Sequence, residues 1–226
     1  MSLLDSVRTR LGASHAIPPG TMLLWLARVG VLQSLYHSVR ARGIVLVGRG
    51  SRLRVARSAT LDLAPGAMLL VGLAHDVPGG ASVRLRPRAR LAVEGRVQVM
   101  RRCDVYLGWG ARLEIGDGTF LNDGASVVSH GHVAIGRECA ISWGVRIMDT
   151  DVHTLVRADP LVGPDTDVVL GDRCWIGADS SVLKGVRLGD GCVVAARSVV
   201  TRSAPAASLL AGTPARVKDD HVDWIR

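Results

Sequence analysis

From Leu170 onward the chain places an aliphatic residue at every sixth position: Leu170, Ile176, Val182, Leu188, Val194 and Val200. Gly or Ala follows several of these, as Gly171, Gly177, Gly189 and Ala195. The fifth place of each hexad is small or β-branched: Cys174, Ser180, Val186, Cys192, Ser198 and Ala204. A helical period of about 3.6 does not give this spacing, and strand alternation does not explain the recurring glycine. Upstream the frame continues through Ile115, Leu121 and Val127 and, after a two-residue slip, through Ile135, Ile141 and Ile147. Val93, Val99 and Leu107 extend it, and the pairs Leu85, Leu91 and Val47, Leu53 extend it more weakly. Three hexads make a coil of about 18 residues, with one short strand on each face of a triangular prism and the aliphatic residue pointing inward onto its equivalent one coil away. The pattern therefore predicts an all-β parallel β-helix over residues 43–204, sharp from about 107 and degraded over 44–106. An excursion at 154–169, containing Pro160, Gly163 and Pro164, interrupts it.

Residues 1–42 lie outside the repeat. Leu3, Leu4, Val7 and Leu11 have helical spacing, and Met22, Leu23, Leu26, Val29, Val31, Leu32, Leu35 and Val39 form a second apolar pattern beyond Pro18-Pro19-Gly20. Two short helices are expected, closing the open N-terminal end of the prism, with a peripheral membrane contact as the rival role. Residues 205–226 form a C-terminal tail, expected to end in a short helix over 219–225. No apolar run approaches the roughly 18 residues of a membrane span, and no cleavable signal pattern is present. The expected location is cytoplasmic, at most at the inner membrane face.

Composition sharpens this picture. Hydrophobic residues are 48% of the 226, which excludes a disordered chain, yet only 5 Trp, 2 Tyr and 1 Phe are aromatic. A narrow interior filled by Val, Ile, Leu and Ala explains that. The formal charge of +8 is uneven, +12 over residues 1–112 and −4 over 113–226. The basic half suggests an anionic partner, and Arg84, Arg86, Arg88 and Arg90 alternate as a candidate charged stripe. No nucleic-acid-binding motif accompanies the charge. Cys103, Cys139, Cys174 and Cys192 hold fifth places of hexads and read as small buried residues, neither disulfides nor metal ligands.

Several segments are more specific than the hexads: Ile141-Ser-Trp-Gly-Val-Arg-Ile-Met-Asp-Thr-Asp-Val-His153, then Leu170-Gly-Asp-Arg-Cys-Trp-Ile-Gly177, Val182-Leu-Lys-Gly185, Ser198-Val-Val-Thr-Arg202 and Gly212-Thr-Pro-Ala-Arg216. In this order they resemble the hexapeptide-repeat acyltransferases, above all the O-acetyltransferases of sugars and surface polysaccharides. The resemblance implies a left-handed coil, an exception to the usual right-handed crossover, and a homotrimer with sites between subunits. It also implies acetyl-CoA as acyl donor, no metal, and a saccharide acceptor.

His153 falls where the repeat expects an aliphatic residue, immediately before the excursion. A sugar hydroxyl needs a base to attack a thioester, and neutral imidazole takes a proton near neutral pH. Asp149 and Asp151 flank it, and either carboxylate is a candidate to orient the imidazole or bind the acceptor. Trp143 is a candidate acceptor wall. By the resemblance, the Trp175–Ala178 hexad, with Gly177 inside it, supplies backbone groups near the thioester, and the Ala178 N–H is a candidate oxyanion donor. Ala196 matches a backbone contact to the pantetheine arm. Lys184, Arg202 and Arg216 are suited to the CoA phosphates. The family's usual Gly-Ala-Gly-Ser reads Ala195-Ala-Arg-Ser198 here. The alternatives are N-acetylation of an amino sugar and a non-catalytic β-helix scaffold. A zinc hydratase on this fold is disfavoured, because His130, His132 and His153 lack the ligand spacing it needs.

Overall fold

A computed structural model describes residues 29–73, 79–153 and 166–225. Three parallel sheets form the faces of a prism. The first contains β1 (Ile44–Val47), β4 (Met68–Val71), β7 (Arg96–Val99), β10 (Phe120–Leu121), β13 (Ala140–Ile141), β16 (Trp175–Ile176), β19 (Val193–Val194) and β21 (Leu209–Gly212). The second contains β2 (Arg52–Val55), β5 (Ser82–Leu85), β8 (Asp104–Leu107), β11 (Ser126–Ser129), β14 (Arg146–Met148), β17 (Ser181–Val182) and β20 (Val199–Val200). The third contains β3 (Thr60–Leu63), β6 (Arg90–Val93), β9 (Arg112–Ile115), β12 (His132–Ile135), β15 (Val168–Leu170) and β18 (Arg187–Leu188).

The inward columns are the hexad positions. Val99, Leu121, Ile141, Ile176, Val194 and Leu210 stack in register down the first sheet, all nearly inaccessible to solvent. Burying each such side chain is worth about 1.5–3 kcal/mol. The weak frame over 44–106 has a geometric cause. Strands β1 to β4 begin at residues 44, 52, 60 and 68, eight apart, whereas β16 to β20 begin at 175, 181, 187, 193 and 199, six apart. The N-terminal sides are longer, with two inward residues per strand, as Leu61 and Leu63 in β3. A search at period six loses register there although the prism is intact.

The glycines after the aliphatic positions have a packing reason. A Cβ on Gly177 would lie 2.6 Å from both Ala196 N and Val194 O of the next coil. The fifth-place residues have a polar one. Thr119, Cys139, Cys174, Ser180 and Cys192 each donate to a corner carbonyl of the following coil, respectively Gly136, Gly171, Gly189, Ala195 and Pro205, at 2.7–3.3 Å. Ser, Thr and Cys recur there because they are small and carry a donor that satisfies a buried carbonyl.

The first expected N-terminal helix lies outside the described residues. The second is α1 (Val31–Ala41), which packs on the first coil. Its polar side faces the prism. Ser34 Oγ accepts from Val47 N and Ser38 Oγ from Val45 N, both at 2.9 Å. His37 Nε2 lies 3.0 Å from Leu53 O, and Arg40 donates to the carbonyls of Val55, Ala56, Arg57 and Ala59. Among the described residues no coil precedes the first to pair its backbone, so polar side chains serve there better than apolar ones. Val31, Leu32, Leu35, Tyr36 and Val39 consequently face outward, 60–85% exposed.

At the other end no helix forms at 219–225. After β21, the chain reverses through Thr213 and Pro214 into β22 (Ala215–Asp219), which pairs antiparallel with β21 and covers that sheet edge. Parallel pairing of β21 with β19 carries the stack to Leu210, past the expected end at 204. The arginine stripe is also divided, because the turn at Pro87 and Arg88 (φ 62°) sends Arg84 and Arg90 to different faces, where they pair with Asp104 and Asp62. Among the described residues, no helix is long and apolar enough to cross a membrane.

Candidate active site

The sequence-predicted residues sort onto two corners of the prism. His153 follows β14, Lys184 follows β17 and Arg202 follows β20, so all three lie where the chain passes from the second sheet towards the third. Trp143, Ala178 and Ala196 lie where it passes from the first sheet to the second. This second group is tied coil to coil: Asp179 N donates to Trp143 O, and Arg197 N to Ala178 O, both at 2.8 Å. Arg216 sits on β22 opposite Ala211, exposed, and its guanidinium donates to the neighbouring Ala215 carbonyl.

At the His153 corner the inward column ends in a carboxylate. Asp149 is 2% exposed. Its oxygens accept from Ser129 Oγ (2.6 Å), His130 N (2.8 Å) and Gly131 N (2.9 Å). Of the two candidate carboxylates, Asp149 is therefore engaged by Ser129, His130 and Gly131, not by His153. It takes an inward position and ties down the corner of the preceding coil, a use open to a carboxylate that finds three donors. Beyond it the chain turns outward. Val152 has φ 63°, a strained region for a β-branched residue, and its N–H is held by Thr150 Oγ1 at 2.9 Å.

Asp151 acts through both backbone and side chain. Its carboxylate pairs with Lys184 Nζ. Its carbonyl lies 3.3 Å from His153 Nδ1. A carbonyl only accepts, so Nδ1 carries the proton of neutral His153 and Nε2 keeps its lone pair on the exposed side of the ring. Lys184 is thus engaged within the chain, whereas Arg202 is exposed.

At the other corner Asp179 has φ 57°, the left-handed third position of a turn in which Ala178 is second. Neither Ala178 N–H nor Ala196 N–H donates to a protein acceptor among the described residues. Both belong to small residues, so the corner presents outward donors with little side chain over them. Trp143 stands 59% exposed beside them. Trp175 donates from Nε1 to Ser142 Oγ at 3.1 Å, and Trp224 tilts against it with ring centroids 6.0 Å apart. Trp224 is anchored by its own Nε1 to Arg173 O at 2.7 Å. This folded-back tail was not legible in the sequence, since no repeat position marks Trp224.

The cysteines are structural. All four are buried and unpaired. Burial pushes the Cys103 thiol up to about 12. Cys174, buried between the thiols of Cys139 and Cys192, is held well above the ordinary range.

The model for bacterial transferase hexapeptide (six repeats) matches residues 167–202. The chain is 34% identical over 111 residues to a protein of Escherichia coli K12 provisionally named as the lipopolysaccharide biosynthesis O-acetyl transferase WbbJ, covering 45% of this chain and 57% of that one. It is 31% identical over 130 residues to a second protein of the same organism, provisionally named as the colanic acid biosynthesis acetyltransferase WcaF, covering 55% of this chain and 68% of that one. The crystal structure of the polySia-specific acetyltransferase NeuO superposes with a TM-score of 0.53 at 23% identity, covering 76% of this chain and 90% of that one. The chain belongs to the hexapeptide-repeat transferase family, and its fold is the family's left-handed parallel β-helix.

Proposed function

We propose that the protein transfers an acetyl group from acetyl-CoA to a hydroxyl of a saccharide, with His153 as general base. The observation that carries this is the imidazole itself: exposed at the repeat break, its Nδ1 facing the Asp151 carbonyl and its Nε2 lone pair free. The sugar-directed names of the relatives favour a saccharide acceptor. Acetyl-CoA supplies the activated acyl group. Nε2 removes the hydroxyl proton as the oxygen attacks the thioester carbonyl, and the imidazolium returns that proton to the departing sulfur. An outward N–H such as that of Ala178 suits the negative charge developing on the carbonyl oxygen. No step uses a metal. Lys184, Arg202 and Arg216 are the cations assigned to CoA phosphates, Lys184 by exchanging its Asp151 partner.

Base and oxyanion donor must both lie within about 3 Å of the reacting atoms. His153 and Ala178 occupy different corners, separated by the width of one prism face. A single chain cannot apply both to one thioester, which supports a homotrimer whose sites lie between neighbours. Four unpaired cysteines suit the reducing cytoplasm. The outward apolar side of α1 and exposed Arg42, Arg49 and Arg52 suit a peripheral contact with an anionic inner membrane face. The test is acetyl transfer from labelled acetyl-CoA to a panel of sugars and nucleotide sugars. The expected product is an alkali-labile ester. An amide product would instead select the amino-sugar alternative, and no transfer together with no thermal stabilisation by CoA would leave the scaffold reading.

A further inference from the structure

A groove of about 580 Å³ lies between α1 and the second sheet, far down the prism from His153. Tyr36, Arg54, Arg84, Arg86, Pro87 and Tyr106 line it, and no carboxylate is among its lining residues. The three arginines differ in state. Arg84 is clamped to both oxygens of Asp104, at 2.8 and 3.0 Å, and its guanidinium lies 5.2 Å from the centroid of the Tyr106 ring. It is a fixed wall that holds that ring. Arg54 and Arg86 are exposed and make no ion pair among the described residues. Tyr36 is 60% exposed. Rings with polar tips beside exposed guanidinium groups suit a ligand that has apolar C–H faces, hydroxyls and oxyanions together.

The groove also points somewhere. Arg54, Arg84 and Tyr106 stand opposite one another on β2, β5 and β8. The same outward column continues through Val128 on β11 to Met148 on β14, a few residues before His153. Neighbouring strands are about 4.8 Å apart, so the column from Arg54 to Met148 is roughly 19 Å long. The His130 ring packs 5.8 Å from Tyr106, while the His130 N–H is held by Asp149. That span fits an oligosaccharide, not a single sugar.

We propose that this groove is a distal acceptor subsite, taking the trailing units of an oligosaccharide that carries carboxylate or phosphate groups while its acetylated unit lies at His153. The subsite rests on the acetyl-transfer reading for its purpose but not for its binding. The test therefore uses the full chain without acetyl-CoA. Calorimetry compares a uronic-acid oligosaccharide, a phosphate-bearing one of equal length, a neutral one and a single-stranded DNA oligomer. The expected result is about tenfold or greater preference for one or both acidic sugars over the neutral one, weakened by salt. Arg54→Gln with Arg86→Gln removes most of that preference, and Tyr36→Ala weakens all the sugars. Whichever acidic sugar binds more tightly identifies the oxyanion. Equal binding of acidic and neutral sugars, an unchanged preference in the double variant, or tighter binding of DNA overturns the subsite. Acetyl transfer to a monosaccharide, measured separately on the parent, tests the catalytic reading: its failure with acidic-sugar binding intact removes the transferase and leaves the subsite.

Discussion

The backbone carbonyl of Asp151 lies 3.3 Å from Nδ1 of His153, while the Asp151 carboxylate is turned away to Lys184. In the proposed mechanism the group that orients His153 is therefore main chain and does not depend on the aspartate side chain. His153→Ala is expected to lower turnover by about 10²–10⁴-fold with CoA binding retained, the usual worth of a general base. Asp151→Asn keeps the carbonyl and loses only a partly exposed ion pair, worth about 0–1 kcal/mol. Its turnover should stay within a few-fold of the parent in steady-state kinetics. A loss as large as that of His153→Ala would return the carboxylate to the catalytic role.

Asp149→Ala should act on stability. It leaves Ser129 Oγ, His130 N and Gly131 N without their shared acceptor, and a buried donor left unmet costs about 1–3 kcal/mol. Chemical denaturation should show a loss of about that size. Unchanged stability combined with lost turnover would contradict the assignment.

His37 makes the N-terminal cap sensitive to acid. Leu53 O can only accept, so Nε2 carries the proton and the buried Nδ1 has no partner. Burial, opposed by the Leu53 hydrogen bond and reinforced by Arg40, lowers the pKa below 6.5. A lowered folded-state value means the unfolded ring takes up a proton first. The stability from this contact is complete above pH 6.5 and falls as pH drops below it. Hydrogen exchange at Val45 and Val47 should accelerate over that interval, and His37→Gln should flatten the response. Exchange independent of pH in the parent, after correction for intrinsic rates, would argue against it.

How much of this was legible in the sequence follows from the physics of each element. Inward stacking forces an aliphatic residue into every coil, so Leu170 to Val200 exposed the fold directly. The eight-residue sides over 44–71 preserve that stacking but shift its period. Which side of α1 meets the prism was not legible, because apolar periodicity marks a face without saying what it faces, and the backbone of the first coil is met by Ser34, His37, Ser38 and Arg40. His153 was visible as a polar residue at a repeat position. The inward turn of Asp149 was not, since its donors come from another coil. Nor was the groove, which needs Arg54, Arg84 and Tyr106 in register across three strands.

The cysteines supply a chemical check on the core. Thiol-specific reagents should label none of Cys103, Cys139, Cys174 and Cys192 in the native protein and all four after denaturation, read by mass spectrometry. Because burial raises Cys103 from 9.0 to about 12, its contribution to stability is present below pH 9.0 and is lost as pH rises towards about 12. Rapid native labelling at one cysteine would identify a reactive thiol and contradict the buried, structural assignment.

The central claim is that His153 of one copy and Ala178 of another serve the same acetyl group. Ala178 is second in a turn whose third residue, Asp179, has φ 57°, a place that accepts proline. Ala178→Pro therefore deletes the N–H with little strain on the fold. Alone, Ala178→Pro and His153→Ala should each be nearly inactive. Co-assembled from an equal mixture unfolded and refolded together, they should recover activity, because about a quarter of the sites between copies then pair an intact His153 with an intact Ala178 N–H. Complementation towards that fraction is the result this account predicts. Co-assembled variants that remain as inactive as either alone, with CoA still bound, would contradict it.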